Sequence, residues 1–173
     1  MTSARKFESH LLTQAGGVWT QSHMDVAHRA LQDAGLIVKA GHGINAPPIS
    51  PLEAASLLLG LIAEKPADAA KAVEVYQGLR AVDGGGSLLD YLVYLLEDPK
   101  NPAEVDRITL SRTWPAVEVA KANGAHLLFR DVDHHPPAAC CAITLRGSLL
   151  AALAGALKPA DSGWTGWKPE DAE

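Results

Sequence analysis

The chain has 173 residues, 47% of them hydrophobic and 5% aromatic, with a net charge of −5. That length suits one domain or two small ones, and the alanine and leucine content favours helix. No apolar run reaches the ~18–20 residues of a membrane span, the opening MTSARKFESH lacks a basic-then-apolar leader pattern, and the acidic balance argues against a strongly basic nucleic-acid binder.

The charge is unevenly spread. Residues 1–50 carry Arg5, Lys6, Arg29 and Lys39 against Glu8, Asp25 and Asp33, a net of +1, so the rest of the chain sums to −6. The N-terminal region is therefore the part expected to meet phosphates without repulsion. The cysteines are the adjacent pair Cys140 and Cys141. Neighbouring cysteines in a strand point to opposite faces, which disfavours a disulfide and fits a reducing, cytoplasmic setting.

In chain order, residues 3–14 predict a first helix with Phe7 and Leu11 inward and Arg5, Lys6 and Glu8 outward. Gly16 and Gly17 end it. Trp19 reads as a core anchor. Thr20 or Ser22 can cap the next helix, in which Met24, Ala27, Leu31 and Ala34 form a narrow apolar stripe. Gly35 stands where a C-terminal cap belongs. Leu36-Ile37-Val38 predicts a strand, Ala40-Gly41-His42-Gly43 a turn, and Ile44-Asn45-Ala46 a return strand stopped by Pro47-Pro48.

Ser50-Pro51-Leu52-Glu53 combines an N-cap, a proline at the first helical position and a capping-box glutamate. The helix it starts is expected to run to about Glu64, and its leucines cover most of its circumference, as in a central helix. Residues 67–82 predict an amphipathic helix, Asp83-Gly84-Gly85-Gly86 a break, and Ser87 with Asp90 the cap of a helix over 88–97. From Arg107 the period changes to two. Strands are expected at 108–111, 117–120, 126–129 and 142–145. The turns between the first three fall at Trp114-Pro115 and at Asn123-Gly124, the latter a type I′ signal. Ser148 caps a last helix over 149–157.

The expected fold is α+β. A mostly helical, winged-helix-like module spans 1–65, a helical connector 66–102, a small antiparallel sheet with a C-terminal helix 103–158, and a flexible tail 159–173.

The helix, glycine and hairpin of residues 20–46 resemble the winged helix-turn-helix DNA-binding regulators, in which a Gly-Leu-Ile step, here Gly35-Leu36-Ile37, often leads into the wing. The run from Leu31 to Leu61 is similar to small regulators of bacterial prophages and gene-transfer elements. Their turn tends to be richer in arginine; His42 and Ile44 occupy it here. The resemblance implies a transcription regulator, phage-associated, that binds double-stranded DNA as a homodimer. Its contact set would be Gln21, Ser22, His23, Arg29 and Gln32 on the helix and Lys39, His42 and Asn45 on the wing. The acidic C-terminal half would dimerise or meet a protein partner. The competing reading is a protein-interaction adaptor or inhibitor that uses the same surface without DNA.

No catalytic motif is present: the chain has no G-x-S-x-G, no P-loop and no dinucleotide fingerprint. Asp131, Asp133, His134, His135, Cys140 and Cys141 match no zinc spacing, so neither a metal nor any other cofactor is expected.

Overall fold

The computed structural model describes residues 2–15, 17–39, 47–131 and 141–157. Its described elements are six α-helices, two short 3₁₀ turns and a five-stranded antiparallel sheet, an α+β arrangement. None of its described helices is long and apolar enough to cross a membrane.

Helix α1 (Ala4–Gln14) buries Phe7 and Leu11 at helical spacing. It also buries Glu8, which the sequence placed outside. Helix α2 (Gln21–Asp33) starts at Thr20, whose hydroxyl accepts the backbone N–H of His23. Thr20, rather than Ser22, is therefore the cap. The helix ends in a Schellman turn. Gly35 takes a φ of +75°, Gly35 N–H donates to Gln32, and Leu36 N–H donates to Leu31.

Helix α3 (Pro51–Gly60) has the full capping box: the Glu53 N–H reaches the Ser50 hydroxyl, and the Ser50 N–H reaches the Glu53 carboxylate. Such a cap contributes ~1 kcal/mol. Residues 54–60 are all buried, whereas Leu52 near the start remains exposed. The helix stops at Gly60, short of the expected end, because Ile62 and Ala63 tighten into i→i+3 turns, their N–H groups donating to the Leu59 and Gly60 carbonyls. Gly60 lets α3 approach α2 closely: a Cβ there would lie 3.0 Å from Leu31 Cδ1.

A 3₁₀ turn at Pro66–Asp68 leads into α4 (Ala69–Gln77), which is shorter than expected. Arg80 and Ala81 leave the helix and form strand β1. A second capping box, Ser87 with Asp90, starts α5 (Leu88–Glu97) as the sequence indicated.

The sheet contains β1, β2 (Val105–Ser111), β3 (Ala116–Lys121), β4 (His126–Arg130) and β5 (Ala142–Arg146), in the order β1-β4-β3-β2-β5. The register aligns Ile108 with Val119 and Leu145, and Leu110 with Val117 and Ile143. These side chains share one face and meet the helices, joined by Ala81, Leu127 and Phe129. The β3–β4 turn is not type I′. Only Gly124 has a positive φ, at +86°, and Lys121 N–H bonds to Ala125 across a four-residue loop. Helix α6 (Gly147–Ala156) follows β5 without a connecting residue and begins at Gly147, ahead of the expected Ser148 cap. One cluster of buried side chains runs from Phe7 on α1 to Leu157 after α6.

Candidate nucleic-acid interface

Polar contacts link helices α1 and α2. His28 Nδ1 shares a hydrogen bond with Glu8 Oε1, and Arg5 reaches the Asp25 carboxylate. Glu8 is only 1% exposed, so the pair with His28 lies inside the protein. The signal for it was available in the sequence: Glu8 stands between Phe7 and Leu11, on the arc that turns inward.

Helix α2 turns Met24, Ala27 and Leu31 toward α3 and α4. Its opposite side is open to solvent and carries Ser22, Val26, Arg29 and Asp33. Ser22 and Arg29 stand at the centre of this outward face, and Gln21 is exposed beside them. The Gln21 amide donates to Asp25 at 3.1 Å. Its charges are nearly balanced. Asp25 is met by Arg5 and lies in the field of Arg29; Asp33 is met by Lys39 at 2.9 Å. The hydrogen bond from Gln21, then that from Arg5, hold the Asp25 carboxyl below its usual range.

Besides Gln21, three expected contact residues stand elsewhere or are engaged. His23 lies on the flank of α2, and its Nε2 is sealed from solvent with no hydrogen-bond partner. Burial, then the positive charge of Arg112, pushes its pKa down. His23 therefore belongs to the side of α2 near the β2–β3 turn and does not join the outward face. The Gln32 amide lies 3.4 Å from the Val38 carbonyl, and Lys39 is paired with Asp33. Residues 36–38 do not form the expected strand. Val38 N–H is instead taken by the Glu53 carboxylate at 2.9 Å, which folds the segment back onto the start of α3. His42 and Asn45, with the expected turn and return strand at residues 40–46, lie outside the described residues.

His23 gives a pH signature. Its folded pKa is lowered, so protonation favours the unfolded chain. The contribution is intact above the ordinary imidazole value near 6.5 and is lost as the pH falls below it. Thermal melts from pH 8 to pH 5 are expected to show a decline below ~6.5 that is shallower in His23→Gln. Equal slopes in the two proteins would remove this assignment.

Arg112 opens the turn Arg112-Thr113-Trp114-Pro115, whose polar and aromatic make-up suits either a packing feature or a partner-binding corner. It sits between β2 and β3 and donates through Nε to the Ile62 carbonyl at 2.8 Å and through Nη2 to the Ala63 carbonyl at 2.9 Å. Trp19 completes the set, its indole N–H donating to the Leu61 carbonyl at 3.1 Å. Trp19 is thus the core anchor expected, and it holds the entry to α2 against the end of α3. Among the described residues no group of three or more His, Cys, Asp or Glu could hold a metal ion. The Asp131–Cys141 cluster falls mostly outside the described residues, since 132–140 are not among them.

No family model, curated protein or solved structure matches the chain.

Proposed function

We propose that the chain is a DNA-binding regulator of transcription, associated with a phage or prophage, that meets the duplex as a homodimer through the outward face of α2. The observation that carries this reading is the open α2 face itself, with Gln21, Ser22 and Arg29 free of the core while the opposite stripe is fixed by α3 and α4. α1 precedes α2 in the chain, and Arg5, Arg29 and Lys39 supply positive charge around the face. Asp25 and Asp33 set the strength. Arg5 and Lys39 must exchange a carboxylate for a phosphate on binding, so each protomer binds weakly. Useful affinity then comes from two faces about 34 Å apart along the duplex. The acidic remainder of the chain serves dimerisation or a protein partner.

The test is fluorescence anisotropy on duplexes from the neighbouring genomic DNA at low salt. Arg29→Ala is expected to weaken binding by roughly tenfold and to lower the salt slope by about 1. No binding by the wild-type chain at ~50 mM salt overturns the proposal.

A second reading, a protein-interaction adaptor, is favoured by the apolar groups around the same helix. Val18, Val26 and Val38, before, on and after α2, are 53%, 37% and 61% exposed. That reading predicts assembly that salt does not weaken.

A further inference from the structure

The pairing of β1 with β4 sets Arg80 directly opposite Arg130. Side chains so paired in an antiparallel sheet point to the same face, with Cβ atoms ~5 Å apart, and like charges there repel. The next pair in register, Ala81 and Phe129, is buried in the core, so the two guanidinium groups project from the opposite face of the sheet. None of the ion pairs among the described residues involves either arginine. Arg130 Nε is sealed from solvent and has no acceptor. A buried charged donor without an acceptor is costly. The exposed Arg80 charge beside that buried donor forms a place where an anion would relieve the repulsion and meet the unpaired Arg130 N–H.

The surroundings narrow the choice of anion. A recess of about 500 Å³ holds both arginines and is lined by Val75, Leu79, Val82 and Asp131. Val75 and Val82 are 48% and 42% exposed, an apolar surface beside the charge. Asp131 has contacts of its own.

We propose that this recess binds a phosphate monoester carried on a short apolar body. The two forked guanidiniums match the oxygens of a doubly charged phosphate, which a single lysine would meet only as a point charge. Val75, Leu79 and Val82 take the apolar part. This site is independent of the α2 face, and its ligand chemistry is shared by soluble esters and by lipid headgroups.

The test is calorimetric titration of the full chain with inorganic phosphate and with hexyl phosphate, beside flotation with phosphatidylcholine vesicles containing phosphatidic acid. Hexyl phosphate is expected to bind at least roughly tenfold more tightly than inorganic phosphate. Arg130→Gln and Arg80→Gln are each expected to lose roughly tenfold or more, and Lys71→Gln to leave binding unchanged. Should Arg130→Gln fail to fold, the exposed Arg80 decides the outcome. Capture by vesicles that is lost in Arg80→Gln identifies a lipid headgroup as the source; binding of hexyl phosphate alone identifies a soluble ester. Absence of binding to hexyl phosphate and vesicles alike overturns the proposal. So does a folded Arg80→Gln chain that binds as the wild type does, or hexyl phosphate that binds no better than inorganic phosphate.

Discussion

Gly147→Ala is expected to destabilise the protein by about 3 kcal/mol, a fall of ~6–12 °C in melting temperature for a chain of this size. β5 ends at Arg146 and α6 begins at the next residue, so the backbone turns off the sheet with nothing to spare. At that corner a Cβ on residue 147 would lie 1.8 Å from the Val105 carbonyl oxygen and 2.8 Å from its carbon. Both atoms are backbone at the start of β2, and no side-chain rotation can relieve the overlap. Gly155 on the same helix provides the contrast. Its added Cβ would find Pro99 at an ordinary 3.9 Å. Gly155→Ala removes only the helical cost of glycine and is expected to stabilise by ~0.5–1 kcal/mol. Circular-dichroism melts of the two variants check both signs, and a Gly147→Ala chain that melts with the wild type would contradict the close approach of α6 to β2.

The second large effect is expected at the α1–α2 pair. His28→Ala leaves the Glu8 carboxylate 1% exposed, with its Oε1 stripped of a partner and its Oε2 3.9 Å from Arg5. Removing one member of a buried pair typically costs ~3 kcal/mol or more, because the remaining charge is unsolvated and here keeps only the longer contact to Arg5. Replacing both members by apolar groups of similar size is often neutral. The double variant Glu8→Leu with His28→Leu is therefore expected to recover most of the loss, and a double-mutant cycle in urea measures the difference. If the single and double variants are equally unstable, the pair is not what joins these helices. The same cycle bears on the proposed DNA binding, since α1 carries Arg5, which reaches Asp25 on α2.

The elements whose boundaries are set locally could be read from the chain. Ser50-Pro51-Leu52-Glu53 and Ser87 with Asp90 close both capping boxes through groups three residues apart, so no distant partner is needed. Gly35 caps α2 for the same reason, and the alternation in Ile143 and Leu145 marks β5 before its neighbour is known. The failures share a different cause. Leu36-Ile37-Val38 has strand composition, but Glu53 takes the Val38 N–H that a paired strand would have used. Arg80 and Ala81 continue a helical pattern, and only the distant β4 converts them into a strand. Glu8 is a charged residue that the pattern assigns to the surface; its burial depends on His28, 20 residues further on.

Much less of the candidate interface was legible. Arg29 and Ser22 are on the open side of α2 as the helical period implies, but His23 turns toward Arg112, which arrives from a turn almost ninety residues away. The paired arginines at the sheet edge were invisible for a similar reason. A net acidic C-terminal half concealed a local pair of positive charges that only the register of β1 and β4 brings together.

The end of α3 ties together two distant parts of the chain. Three successive carbonyls, those of Leu61, Ile62 and Ala63, are taken by Trp19 from before α2 and by Arg112 from between β2 and β3. Fraying of that single turn would release the approach to the outward helix and a corner of the sheet at one stroke. Amide protons of both regions should thus exchange as a common cooperative unit, leaving the protein without a low-energy opening in which α2 detaches alone.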